Sequence, residues 1–256
     1  MALDLPRTLT PSKVSAFTSC PLAFRYSQIE RLPEPPSPHS VKGTFVHAAL
    51  EALYWHHGPG HRSRAAADAE LERVWAMRGD DAEYAELQLD EQQEEAFVAD
   101  ARYLIDNYYR LEDPDEVQTI GVEIGVETVV DGMRLRGIID RLDVAPDGSL
   151  IVVDYKTGRT PAERFERGSL GGVQTYALLC ESMLGRAPVQ VRLLYLREPM
   201  EIRAQATQQT ITGQRRRAVA VWSAIARACD TEDFRPQVGP LCDYCNFRDL
   251  CPAFAA

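Results

Sequence analysis

Apolar positions recur along this chain in two rhythms, one of helices and one of strands. Val14 and Phe17 form an apolar face behind Thr10-Pro11-Ser12, where Thr10 can cap a helix and proline suits its first turn. Cys20-Pro21 interrupts that segment, Phe24 and Tyr26 extend it, and the proline-rich loop 33–38 follows. A second helix is predicted from Gly43, with Val46, Ala49, Leu50 and Leu53 at helical spacing. His56 to His61 (HHGPGH) reads as a solvated loop, and 64–77 and 86–111, rich in Ala, Glu, Leu and Gln, read as helices. Asp113-Pro114-Asp115 ends the second of these.

The rhythm then changes to a period of two. Ile120, Val122, Ile124 and Val126 alternate with Glu123 and Glu127 across 118–130, and Asp131-Gly132 predicts a tight hairpin to a strand over 133–144. A second turn, Pro146-Asp147-Gly148, leads into the apolar run that closes on Asp154-Tyr155-Lys156. A helical region follows to about Gly185, broken at Gly168 and at Gly171-Gly172. A buried strand over 189–196, a more polar partner over 201–208 and a long helix over 210–228 complete the pattern. The order predicts an α/β fold with a mixed central sheet flanked by helices. We read 1–256 as a single domain, with a helical insertion at 44–113, an α/β core at 118–209, and a C-terminal helix and cysteine region at 210–256.

Chemistry concentrates at the end of the central hairpin. Asp154 and Lys156, two apart on one strand, project to the same side. With Asp140 on the partner strand they make a compact site for a hard divalent cation and an activated water. The net charge of −10 argues against a protein that coats nucleic acid, yet leaves room for a local basic stripe. Arg134, Arg136, Arg141, Arg159, Arg164 and Arg167 supply candidates for it near the hairpin, and Arg215-Arg216-Arg217 a second patch. No apolar run is long enough to span a membrane and the first residues lack a secretory pattern, so the expected compartment is the cytoplasm.

Six cysteines in such a chain point to metal ligation before disulfides. Cys242, Cys245 and Cys251 have the spacing C-x2-C-x5-C and need a fourth thiolate, for which Cys20 is the candidate. Zinc suits four cysteines too, but structural zinc usually takes two close pairs, whereas this pattern has one pair and two singles, which favours an iron–sulfur cluster. Cys180 and Cys229 fall outside the set and read as core thiols.

Gly137-Ile-Ile-Asp140-Arg141 followed by Asp154-Tyr155-Lys156-Thr157-Gly158 resembles the PD-(D/E)xK nuclease superfamily, and is most similar to its RecB-like exonuclease branch. Gly43-Thr44-Phe45-Val46-His47 with Leu50-Glu51 resembles that branch's first motif. The four cysteines resemble its iron–sulfur subgroup, which includes AddB-type subunits and CRISPR-associated spacer-acquisition nucleases. The resemblance implies a restriction-endonuclease-like core. It also implies a Mg²⁺ or Mn²⁺ site held by His47, Asp140, Asp154 and the Tyr155 carbonyl, with Glu123 beside it and Lys156 at the attacking water. A 4Fe–4S cluster would sit on Cys20, Cys242, Cys245 and Cys251. The branch carries Q-x-x-x-Y on the following helix; here Gln174 and Tyr176 are separated by one residue, a departure from the pattern. The implied activity is cleavage of single-stranded DNA or DNA ends in repair or recombination. No G-x-x-x-x-G-K-[ST] phosphate loop is present, so either the chain acts on already unwound ends or a separate helicase supplies the strand. A spacer-processing nuclease working with an integrase complex, and a non-catalytic DNA-binding scaffold, are the alternatives.

Overall fold

The computed structural model describes residues 3–161 and 166–254, the side chains of 166–170 and 173 excepted. The helices are α1 (Pro11–Ser19), α2 (Pro21–Phe24), α3 (Pro38–His56), α4 (Arg64–Ala76), α5 (Ala82–Glu86), α6 (Glu91–Leu111), α7 (Glu166–Leu184) and α8 (Gln208–Thr231). The strands are β1 (Thr119–Val130), β2 (Met133–Val144), β3 (Leu150–Lys156), β4 (Gln190–Tyr195) and β5 (Met200–Gln205), in a single sheet of that spatial order. β1, β2 and β3 form an antiparallel meander. The α7 crossover makes β4 parallel to β3, and β5 returns antiparallel. The sheet is therefore mixed, as the sequence predicts.

Each face of the sheet buries its own core. Val152, Leu193 and Leu142 pack with Leu179 of α7 and Ile225 of α8 on one face. On the other, Val153, Tyr155 and Leu194 pack with Leu50 and Leu53 of α3, Leu71 of α4 and Leu104 and Ile105 of α6. The segment expected as an insertion is thus half of the sheet's cover. No helix among the described residues is long and apolar enough to cross a membrane.

Local chemistry sets most boundaries. Thr10 caps α1 by accepting the Lys13 N–H. Ser37 and Ser40 form a reciprocal cap, so α3 starts at Pro38, five residues before the expected Gly43. Asp90 and Gln93 do the same for α6, which starts at Glu91 rather than 86. Thr207 and Thr210 cap α8 and thereby end the last strand at Gln205, before the expected 208. Gly168 and Gly171-Gly172 do not break α7. A glycine lowers helix propensity by about 1 kcal/mol, which packing against the sheet offsets.

The sheet opens where the site forms. β2 pairs with β3 only over Arg141–Val144, and before Asp140 the two strands separate. Leu9 bonds to the released edge of β2, donating its N–H to the Arg134 carbonyl (2.8 Å) and accepting the Arg136 N–H (2.9 Å). The wedge between this N-terminal segment and the end of β3 is the mouth of a large cleft.

Candidate active site

A cleft of about 1170 Å³ lies between α1, α3, the splayed strands and the start of α7. Asp140, Asp154, Lys156, His47, Glu123 and Tyr176 all line it. Asp140 sits at the splay itself. Its Oδ2 accepts the Tyr155 N–H at 2.7 Å and lies 3.5 Å from His47 Nδ1. One donor atom each from His47, Glu123 and Asp140 falls within 4.8 Å of the others. Asp154 is buried and ion-paired with Lys156.

Two close approaches build this arrangement. A Cβ on Gly43 would meet Thr157 Oγ1 at 2.9 Å, so glycine lets α3 lie against the end of β3 and brings His47, one turn later, to Asp140. A Cβ on Gly137 would meet the Tyr176 ring at 2.6 Å, so glycine there gives the ring its place on β2.

Glu123 reaches the cleft by a backbone irregularity. Simple alternation puts it on the solvent face of an edge strand. Instead it has φ +46°, in the left-handed region where non-glycine residues are strained. Around it the strands change parity. Val122 packs on the α3 face and Ile124 on the α7 face, although two residues apart. On β2, Ile139 and Leu142 share the α7 face although three apart. The reversal turns Glu123 and Asp140 together into the cleft.

Burial and mutual charge shape the protonation of the site. Burial pushes the Asp140 carboxyl up to about 8, and the Asp154 charge adds to it. Burial also raises Glu123, helped by the charge of Glu51. Burial lowers His47 despite the attraction of Asp154, which favours a neutral, ligating imidazole. Burial opposes charge on Lys156, but Asp154 and then Asp140 outweigh it and hold the lysine above its ordinary value. Three carboxylates facing one buried space repel one another. A cation would relieve that repulsion, and the set of one imidazole and several carboxylates suits Mg²⁺ or Mn²⁺.

Other expected residues are dispersed. Gln174 accepts a hydrogen bond from Gln214 Nε2 at 3.0 Å and is tied to α8, outside the cleft. Arg136, Arg159 and Arg217 line the cleft, but Arg134 pairs with Glu127 on the surface. Arg141 does not belong to a basic stripe, because it is fully buried. It donates to both carboxylate oxygens of Asp143 and to Glu112 (2.5 Å), and to the hydroxyls of Tyr54 (2.8 Å) and Tyr155 (2.8 Å). Arg164, and the side chain of Arg167, lie outside the described residues. Of the expected histidine loop, His56 still belongs to α3, and both it and His57 lie 3.0 Å from Glu70 Oε1. Glu51 lines the cleft and was missed as a site residue; its i+4 spacing from His47 on one helix is the signal that finds it.

A family model described as the PD-(D/E)XK nuclease superfamily matches residues 8–252. The chain belongs to that superfamily. Among curated relatives, the Gene 69 protein of Mycobacterium phage D29 is 24% identical over 282 aligned positions, covering 95% of this chain and 96% of the relative. The Gene 69 protein of Mycobacterium phage L5 is 27% identical over 136 positions, covering 52% of this chain and 44% of the relative. A crystal structure from Eubacterium rectale, provisionally named an exonuclease, superposes with a TM-score of 0.61 at 12% identity. That match covers 93% of this chain and 87% of the other, and it shows a shared fold.

In this superfamily member the four predicted cysteine ligands also meet. Cys20, at the junction of α1 and α2, borders one small void with Cys242, Cys245 and Cys251, about 30 Å³ in volume and walled by Leu22, Tyr26 and Phe247. The Gln237 N–H donates to the Cys20 sulfur and the Gly239 N–H to the Cys242 sulfur, both at 3.4 Å. Sulfur is the donor type that both iron and zinc take, and four sulfur-bearing side chains border this one void. Cys180 and Cys229 are buried in the main core, as expected.

Proposed function

We propose that this chain is a metal-dependent DNA nuclease acting on single-stranded DNA or DNA ends, in repair or recombination. The convergence of His47, Glu123, Asp140, Asp154 and Lys156 in one cleft carries the proposal. His47, Asp140, Asp154 and the Tyr155 carbonyl would hold the cation, with the Glu123 carboxylate available beside them. A bound divalent cation polarises the scissile phosphate and acidifies its water. The remaining work falls to the protein. The Tyr155 N–H fixes the Asp140 carboxylate. Asp154 keeps Lys156 charged and in place, so that its ammonium orients the attacking water or offsets the developing negative charge. Burial, then the charges of Asp154 and Asp140, keep the Tyr176 phenol protonated, which makes it a hydrogen-bond donor in the cleft. Arg136, Arg159 and Arg217 contact the phosphates, which fixes register without reading sequence.

The cysteine pocket holds a 4Fe–4S cluster that ties the N-terminal helices to the tail. Its spacing of one pair and two singles supports iron over zinc. Direct ties run alongside it: Tyr26 donates to the Leu250 carbonyl (3.1 Å) and Asn246 to Glu34 (3.2 Å).

The substrate part of the proposal is tested by end-labelled single-stranded DNA, blunt duplex and single-stranded RNA, each offered with Mg²⁺ or Mn²⁺ to anaerobically purified protein. Cleavage of single-stranded DNA ahead of the other two is expected. Equal or greater cleavage of RNA would overturn the DNA assignment, and preference for the interior of duplexes would overturn the single-strand one.

A further inference from the structure

The residues by which α3 lines the cleft, Ser40, Gly43, Thr44, His47, Ala48 and Glu51, advance along one face of the helix, with Ser40, Thr44, Ala48 and Glu51 as one row of it. At 3.6 residues per turn the next position in this series is Trp55, about 6 Å beyond Glu51 and about 12 Å along the axis from His47. Thr44, Ala48, Glu51 and Trp55 fall within an arc of about 60°. Trp55 is 74% exposed, while Ala52, Leu53 and Tyr54 beside it are buried and anchor the helix. A wide aromatic surface is therefore left in water on a rigid element, in line with the cleft.

From this alignment the geometry points to Trp55 as a base-stacking platform, on which a nucleobase of a single strand rests as the strand leaves the cleft. The inference builds on the nuclease reading and names how its substrate is held. Charge along the same helix face supports it. At the Gly43 end, Thr157 packs against the helix and Arg159 follows two residues later, lining the cleft as a cation for phosphate. At the other end the cleft carries Glu51 and Glu123, whose charges act on each other. Past the cation that Glu123 would flank, a phosphate backbone gains nothing from Glu51. The attraction that remains there is stacking of a base on the indole, which every base can make and which only unpaired bases offer. The platform therefore favours single strands over duplex, with little regard to sequence.

The test is fluorescence anisotropy in an Asp154→Ala background, with labelled oligo(dT) of about 20 nucleotides and a sugar-phosphate oligomer of equal length that lacks bases. Trp55→Ala is expected to weaken oligo(dT) binding about tenfold and to leave the baseless oligomer unchanged. Trp55→Phe, which keeps a ring, should lose less. Quenching of intrinsic fluorescence by oligo(dT) should fall in Trp55→Phe, although Trp75 and Trp222 remain. Equal binding of oligo(dT) by Trp55→Ala and its parent, or equal losses on both oligomers, would overturn the inference. If the parent binds neither oligomer, the KM of otherwise wild-type Trp55→Ala on oligo(dT) decides: a rise supports the platform and no change removes it. Wild-type protein that neither binds nor cleaves oligo(dT) would remove the nuclease reading together with the platform. Cleavage by wild type with no effect of Trp55→Ala would remove the platform alone.

Discussion

Arg141 follows Asp140 of the candidate site in the sequence, yet its own charge is spent inside the fold. Glu112 and Asp143 neutralise it, the hydroxyls of Tyr54 and Tyr155 accept from it, and Arg192 is ion-paired with the second oxygen of Glu112 at 2.9 Å. Removing one partner of such a buried set leaves the others uncompensated. Arg141→Ala should therefore destabilise the protein by about 3–5 kcal/mol, measured by denaturant unfolding. A second ion pair gives a pH signature. A bidentate hydrogen bond from Arg197 (2.5 and 2.7 Å), aided by Lys42, lowers Asp100 to about 2 from its ordinary 3.8. A depressed carboxylate contributes stability that is complete above its unfolded value and is lost as pH falls through its folded one. Asp100→Asn should thus melt below wild type at neutral pH, with the difference closing between about pH 4 and 2 in thermal scans. At this scale the site was largely legible: Asp140, Asp154, Lys156 and His47 stand in a recognisable order and meet in the cleft. Arg141 was misread because sequence gives charge but not burial. Gln174 was misplaced because one residue of helical spacing, about 100°, decides between the cleft and α8.

Among elements, α1 has a double attachment. Its first turns, Thr10, Pro11, Ser12 and Ser15, line the cleft of the candidate site, and its C-cap is Cys20 of the cysteine pocket. A rigid helix about 14 Å long joins the two sites. With the proposed cluster in the pocket, Cys20→Ala should bleach the visible absorbance that the cluster gives and raise hydrogen exchange across residues 8–24 and 237–251. An unchanged visible spectrum would exclude Cys20 as a ligand. Element types followed from periodicity, whereas element ends depended on capping: Ser37 and Asp90 moved two helix starts. The parity reversal at Glu123 was not legible, because alternation continues through the sequence there and the positive φ is imposed by the surrounding sheet.

The whole molecule is acidic, yet its cleft presents Arg136, Arg159, Arg217 and Lys156. Under the proposed function, a local basic lining within a net charge of −10 would limit binding to strands that enter the cleft and make that binding salt-sensitive. The fold creates the cleft by letting β2 leave β3 at Asp140 and closing the gap with Leu9. The mixed sheet was legible from element order; this splay was not, because it depends on contacts between residues more than a hundred positions apart. The central claim is that the splay houses a phosphodiester-cleaving site built on Asp140, Asp154 and Lys156. Cleavage of end-labelled single-stranded DNA with Mg²⁺ or Mn²⁺, beside Asp154→Ala and Lys156→Ala, tests it most directly. The account predicts cation-dependent degradation that falls at least about 100-fold in either variant. Folded, cluster-loaded wild type that leaves the DNA intact, or variants as active as wild type, would contradict it.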